Sequence, residues 1–319
     1  MKVIVINDAL KQKHIELIEN TAHEVGAQLL ITDSEKSIPE DFKDAEVLYG
    51  FGMKTAATSK NLKWLCVPSA GVDFLMKPGS FANEECLLTN SSGSYGVSIA
   101  EHIIAVSLMM MRRLTEFHRE TLSGEWGSPR AQKSLKDARI TVLGTGDIGS
   151  CFARRAVSFE PASLVGVNRS GNSSEDVYDR IYKVCELDKV LPATDLLVMS
   201  LPATAETEGI LSRERIDFLP EGAYVVNVGR GSAIDEDALA DALDSGKLGG
   251  AALDVFVTEP LPKDSRLWHT KNLLITPHVA GNLTIDYTID RNVEMFCEDL
   301  LNYAEGRPLK NLVDRNIGY

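Results

Sequence analysis

The chain has 319 residues, a formal net charge of −13, and apolar and charged fractions of 44% and 25%. That length can hold two domains with sizeable cores, and the composition excludes a disordered or collagen-like chain. The acidic balance excludes a dominant basic face for nucleic acid or an anionic membrane, although a local Arg can still bind a small anion.

Short β-branched runs alternate with longer amphipathic segments, the pattern of parallel α/β structure. The first run, KVIVIN, is ended by Asp8, too early for a signal h-region or a membrane span. With QLLIT, EVLYG, KWLCVPS and CLLTN it makes a first series of strands. GVSIAEHIIAVSLMMMRRLTEFHRETL then reads as one long helix. Its first half is apolar on several sides, which suits a domain or subunit junction. ARITVLG, SLVGVNR, DLLVMSL, AYVVNVG, GAALDVF and NLLITPH form a second strand series, apolar enough for a sheet covered on both faces. A final amphipathic helix, IDYTIDRNVEMFCEDLLNYAEG, precedes the tail RPLKNLVDRNIGY. The tail has too little apolar periodicity to fold alone and is expected to pack back onto the first unit. Five scattered cysteines without a C-x-x-C pair suit reduced thiols in a cytoplasmic protein, and no metal is expected.

The stretch ARITVLGTGDIGS places Gly144, Gly146 and Gly149 after a strand and at a helix start, with Thr145, Asp147 and Ile148 between them. The three glycines suit a tight turn, close approach of backbone to a pyrophosphate, and close helix–strand packing. The helix N-terminus offers free N–H groups to phosphate. A structural strand-to-helix turn is the other reading, and the βα units downstream favour a dinucleotide.

Such a loop usually has an acid about 20 residues further on, to bind the adenosine ribose of NAD. VGVNRSG offers Asn168, Arg169 and Ser170 instead. Asn168 removes the repulsion of a 2′-phosphate, Arg169 can fork onto it, and Ser170 adds a donor. The stretch is therefore read either as an NADP(H) selector, with NAD(H) still possible, or as a solvated strand end.

Three later strand ends carry Arg230 (VVNVGRGS), Glu259 (ALDVFVTEPLP) and His278 (LLITPHVAG). In an open α/β sheet such ends converge on one crevice. An Arg can grip a carboxylate and polarise a carbonyl, a His can exchange a proton with an alcohol oxygen, and a Glu can orient the imidazole. Singly, each has a structural explanation.

These motifs, with SLPATAETEGIL, LPEGAYVVNVGRGSAIDEDAL, PSAGVDFL and SIAEHII, make the chain resemble the D-isomer-specific 2-hydroxyacid dehydrogenases over almost its full length. The resemblance implies an α/β fold of two Rossmann-like or flavodoxin-like domains. Each has a parallel sheet flanked by helices, and a deep interdomain cleft lies between them. A discontinuous substrate domain (1–96 plus 288–319) would enclose a dinucleotide-binding domain (97–287). It further implies that Arg230 binds the substrate's carboxylate and carbonyl, His278 is the acid–base residue, and Glu259 is its partner. Asp254 would contact the nicotinamide end, while Ser200, Leu201, Pro202 and Thr207 would lie beside the adenosine. Val228 and Gly229, in the Arg230 motif, would complete the cofactor contacts, and Ala70 and Gly71 would hold the substrate carboxylate through their N–H groups. Members usually dimerise through the cofactor domain, so a homodimer is expected.

The implied reaction reduces a small 2-keto acid to a D-2-hydroxy acid, with glyoxylate or hydroxypyruvate as first guesses. A dinucleotide-sensing regulator on the same fold is the rival. Tyr95 is either a substrate-pocket residue or a buried structural tyrosine. Lys54 either meets an anionic tail or is solvated, and Trp126 is a further candidate pocket residue.

Overall fold

Strands and helices alternate along the chain in the computed structural model, which describes every residue except 174, 316, 317 and 319. Two compact units result: Met1–Tyr95 with Asn282–Tyr319, and Gly96–Gly281. The chain returns to the first unit at 282, earlier than the 288 expected, because Leu283 already packs on that unit's core.

The first unit is a parallel sheet of β1 (Lys2–Ile6), β2 (Gln28–Thr32), β3 (Val47–Gly50), β4 (Trp64–Cys66) and β5 (Leu87–Thr89), in the order β2-β1-β3-β4-β5. Alternate residues of each strand face opposite sides. Ile4, Leu48, Leu65 and Leu88 build one core. Val3, Val5, Val47, Tyr49 and Trp64 build the other, closed by Val293, Phe296 and Leu300 of the helix Asp286–Ala304. The Tyr49 and Phe296 rings stack at 4.5 Å. The tail packs at the end of this sheet. Val313 donates to the Leu88 carbonyl (2.9 Å) and joins the core, and Leu312 bridges Thr89 in antiparallel fashion.

The second unit holds β6 (Arg139–Leu143), β7 (Ser163–Asn168), β8 (Arg180–Lys183), β9 (Leu196–Met199), β10 (Ala223–Asn227), β11 (Leu248–Leu253) and β12 (Leu273–Ile275). All pair in parallel, in the order β12-β11-β10-β9-β6-β7-β8. The order reverses between β6 and β9, where an open α/β sheet leaves a crevice for a ligand. Strand β8 was not expected: its sequence, RIYK, has charged ends, no apolar run, and lies at the sheet edge.

The long apolar segment is two helices, Gly96–Met111 and Leu114–Leu122, and not one. Arg113 takes a left-handed conformation (φ 56°) between them, a break that neither Gly nor Pro announces. The first of these helices packs on the helix Asp147–Ala156 and on β10 and β11, which accounts for its apolar faces. Among the described residues, no helix is long and apolar enough to cross a membrane.

Candidate active site

At the β6 end, Gly144 has φ +101°, and a Cβ on it would lie 2.9 Å from the Ser200 carbonyl oxygen. A Cβ on Gly149 would stand 1.9 Å from the Gly144 carbonyl oxygen, so a side chain there would push the helix off the turn. Gly146 is exposed and faces open space. The first bond of the helix Asp147–Ala156 runs from Ser150 N to Gly146 O (2.9 Å), leaving the N–H groups of Asp147, Ile148 and Gly149 without intrahelical partners. Turn, open approach and unpaired donors together fit a dinucleotide pyrophosphate. Across the crevice, Ser200 Oγ donates to Gly144 O (3.0 Å) and ties the β9 end to the loop.

Asn168, at the β7 end, organises its own loop. Its Nδ2 donates to Thr145 Oγ1 (2.6 Å) and Asn172 O (2.7 Å), and its Oδ1 accepts from Gly171 N (2.7 Å). Ser170 Oγ also bonds within this turn, to Asn168 Oδ1 and Asn172 O (both 3.2 Å). Arg169 stands exposed beside them. Thr207 likewise supports a loop: its hydroxyl donates to Pro202 O (2.7 Å) and accepts from Thr204 N (2.9 Å). Leu201 and Val228 bury their side chains, so only their backbones can meet a ligand.

Arg230 follows β10, between two glycines that have no room for a Cβ. On Gly229 it would lie 2.6 Å from the Leu201 backbone, and on Gly231 1.9 Å from the Phe256 carbonyl carbon. Buried Asn227 fixes the same turn, accepting from Gly229 N (3.0 Å) and donating to Arg230 O (2.9 Å). The Arg230 turn is thereby pressed between the loops that follow β9 and β11.

After β11, Glu259 Oε1 accepts from Phe256 N (2.8 Å), and its Oε2 lies 2.7 Å from His278 Nδ1. The imidazole is about half exposed, leaving Nε2 to act on a ligand. His278 has φ 54°, a left-handed conformation uncommon for a non-glycine residue. Asp254 holds that loop. Its carbonyl accepts His278 N (2.9 Å), and its buried carboxylate accepts Thr276 Oγ1 (2.6 Å), Val279 N (2.9 Å) and Ala280 N (2.9 Å). Asn227, Gly231 and Thr276 are the residues that sequence reasoning missed. The tight G-R-G spelling was the signal available for Gly231.

In the first unit, the 68–71 loop has its carbonyls taken by side chains: Asn90 Nδ2 to Ala70 O (2.9 Å), Ser69 Oγ to Gly71 O (2.8 Å), and the Tyr95 hydroxyl to Pro68 O. The N–H groups of Ala70 and Gly71 have no hydrogen-bond partner among the described residues. Tyr95 supports this loop: it is buried, its hydroxyl donates to Pro68 O, and burial pushes its pKa up to about 12. Trp126 is fully exposed and Lys54 is exposed.

Residues 104–280 match the family model described as D-isomer specific 2-hydroxyacid dehydrogenase, NAD binding domain. The chain belongs to that family. It is an oxidoreductase acting on the CH–OH group of 2-hydroxy acids, and its second unit takes a nicotinamide dinucleotide. A glyoxylate/hydroxypyruvate reductase B of Pectobacterium atrosepticum is 33% identical over 225 residues, 69% of each chain. A solved family member from Aeromonas salmonicida is 31% identical, with a TM-score of 0.87 over 98% of this chain and 99% of its own. Another, from Xanthobacter autotrophicus in complex with NADPH and MES, is 27% identical, with a TM-score of 0.83 over 100% and 99%.

Proposed function

We propose that the protein reduces a small polar 2-keto acid, of the glyoxylate or hydroxypyruvate kind, to the D-2-hydroxy acid, with NADPH preferred to NADH. The observation that carries this is the His278–Glu259 pair, 2.7 Å apart, formed between the ends of β12 and β11, with Arg230 at the end of the adjoining β10. When bound, the nicotinamide supplies the hydride. Arg230 grips the substrate carboxylate and polarises its carbonyl, where negative charge develops. Protonated His278 gives its Nε2 proton to the forming alkoxide, while Glu259 accepts from Nδ1–H and fixes the ring. Asp254 holds the His278 loop in register, and the N–H groups of Ala70 and Gly71 serve as further carboxylate donors.

The cofactor preference rests on the β7 end, where Asn168, Arg169 and Ser170 stand in place of a ribose-binding carboxylate. The NADPH bound to the Xanthobacter relative agrees with it. We further propose a homodimer formed through the cofactor unit, whose surface exposes Leu114, Leu122 and Trp126.

The test is NADPH and NADH oxidation with glyoxylate, hydroxypyruvate, pyruvate and branched 2-keto acids. Turnover of the first two, faster with NADPH, is expected. Tight cofactor binding with no turnover of any keto acid would overturn the proposal and favour a dinucleotide-sensing regulator.

A further inference from the structure

The first unit has a crevice of its own at the carboxyl ends of its strands. Its sheet order also reverses, between β1 and β3, and a cavity of about 390 Å³ opens at that point. Open α/β sheets bind ligands at such reversals, and pockets of this size hold small molecules. Asn7, Asp8, Asp33, Lys36, Phe51 and Lys54 line it. Glu35 braces one wall: its carboxylate accepts Thr55 N (2.7 Å) and Lys54 N (3.3 Å), joining the loop after β2 to the start of the helix Met53–Thr58. Pro68 belongs both to the cavity wall and to the loop whose Ala70 and Gly71 N–H groups are proposed above as carboxylate donors. The cavity therefore adjoins the loop proposed above to hold the head of a 2-keto acid.

We infer that this cavity is a subsite for the carbon chain of the keto acid beyond C2, and that it selects a hydroxylated chain, an inference that rests on the keto-acid reduction proposed above. Its lining carries carboxylates at Asp8 and Asp33 and ammonium groups at Lys36 and Lys54. None of the four makes an ion pair among the described residues. An aliphatic chain would strip water from these groups and return no hydrogen bonds. A second carboxylate on the chain would meet Asp8 and Asp33 as well as the lysines. Hydroxyl groups suit both signs, since each donates to a carboxylate and accepts from an ammonium. Phe51 adds an apolar surface for the C–H side of such a chain.

The experiment compares kcat/KM for glyoxylate, 2-ketogluconate and 2-oxohexanoate with the intact enzyme and NADPH. It is repeated with Asp33→Asn and Lys54→Met, two exposed positions. The hydroxylated six-carbon acid should exceed its aliphatic counterpart by at least about tenfold, because a site built to bond hydroxyls rejects an analogue that lacks them. Each variant should lower the 2-ketogluconate to glyoxylate ratio by about tenfold. Glyoxylate turnover with 2-oxohexanoate equal to or better than 2-ketogluconate would overturn the subsite and leave keto-acid reduction standing. An unchanged ratio in both variants would do the same. Turnover of no keto acid would overturn both.

Discussion

Gly231 lies against Phe256 so closely that a Cβ on it would stand 1.9 Å from the Phe256 carbonyl carbon. That contact seats the Arg230 turn on the stretch whose Phe256 N–H is held by Glu259 (2.8 Å), and Glu259 in turn holds His278. The residues proposed as anion grip and proton donor thus share one backbone contact. Gly231→Ala should cost about 1–3 kcal/mol of stability by overpacking. It should also lower kcat for keto-acid reduction by about 100-fold, through displacement of Arg230. Denaturant unfolding and steady-state kinetics of the variant check this; wild-type values in both would contradict it.

Thr276→Val keeps the shape of the residue but removes a hydroxyl that donates to the buried Asp254 carboxylate at 2.6 Å. A buried acceptor short of a donor costs about 1–3 kcal/mol. Because the same carboxylate holds Val279 N and Ala280 N, the loss should loosen the His278 loop. We expect a lower Tm and a lower kcat, with faster amide exchange at 278–280. Unchanged exchange there would remove Asp254 from its positioning role.

Much of this arrangement was legible in the sequence, for a physical reason. Strands buried on both faces must be apolar throughout, so the runs around Ile4, Val142, Val198 and Val226 announce themselves. β8 escaped because an edge strand such as RIYK can be half exposed and charged. The helix break at Arg113 escaped because left-handed backbone is open, at a cost, to residues other than Gly. In the site, Arg230, Glu259 and His278 are chemically capable side chains in motifs that the sequence displays. Asn227, Gly231 and Thr276 act through backbone bonds and close approach, which exist only once the loops are folded together. The bond from the Tyr95 hydroxyl to Pro68 O was hidden for the same reason.

Cofactor choice is best probed at Arg169 and not at its neighbour. Arg169→Ala should raise KM for NADPH by about tenfold or more and leave KM for NADH nearly unchanged, as expected for loss of one phosphate-forking guanidinium. Equal effects on the two cofactors would rule out the selector role. Asn168→Asp looks like the simpler switch but should damage the loop itself. Its amide donates to Thr145 Oγ1 and to Asn172 O, and a carboxylate oxygen would face that carbonyl with no hydrogen between them. We expect this variant to bind both cofactors more weakly.

The second unit should show a defined acid dependence through Asp195. Its carboxylate accepts Arg139 N (2.9 Å), Nε (2.9 Å) and Nη2 (2.7 Å), bonds that hold its pKa below the ordinary value against the opposing effect of burial. The unfolded chain therefore takes up this proton at a higher pH than the folded one. The stabilisation is complete above the ordinary carboxylate pKa and is lost as pH falls through the lower, folded value. Asp195→Asn should lower Tm at neutral pH and flatten the fall of Tm below about pH 4. Parallel Tm–pH curves for variant and wild type would contradict this.

The most direct test of the central claim is keto-acid reduction by His278→Asn, followed by NADPH oxidation, with NADPH affinity measured separately by fluorescence. His278 Nδ1 sits 2.7 Å from Glu259 Oε2, and Nε2 is the atom left for the proposed proton transfer. The variant should bind NADPH with near wild-type affinity, while its kcat falls by about 10²–10⁴-fold. A variant that reduces glyoxylate and hydroxypyruvate at the wild-type rate would contradict the account.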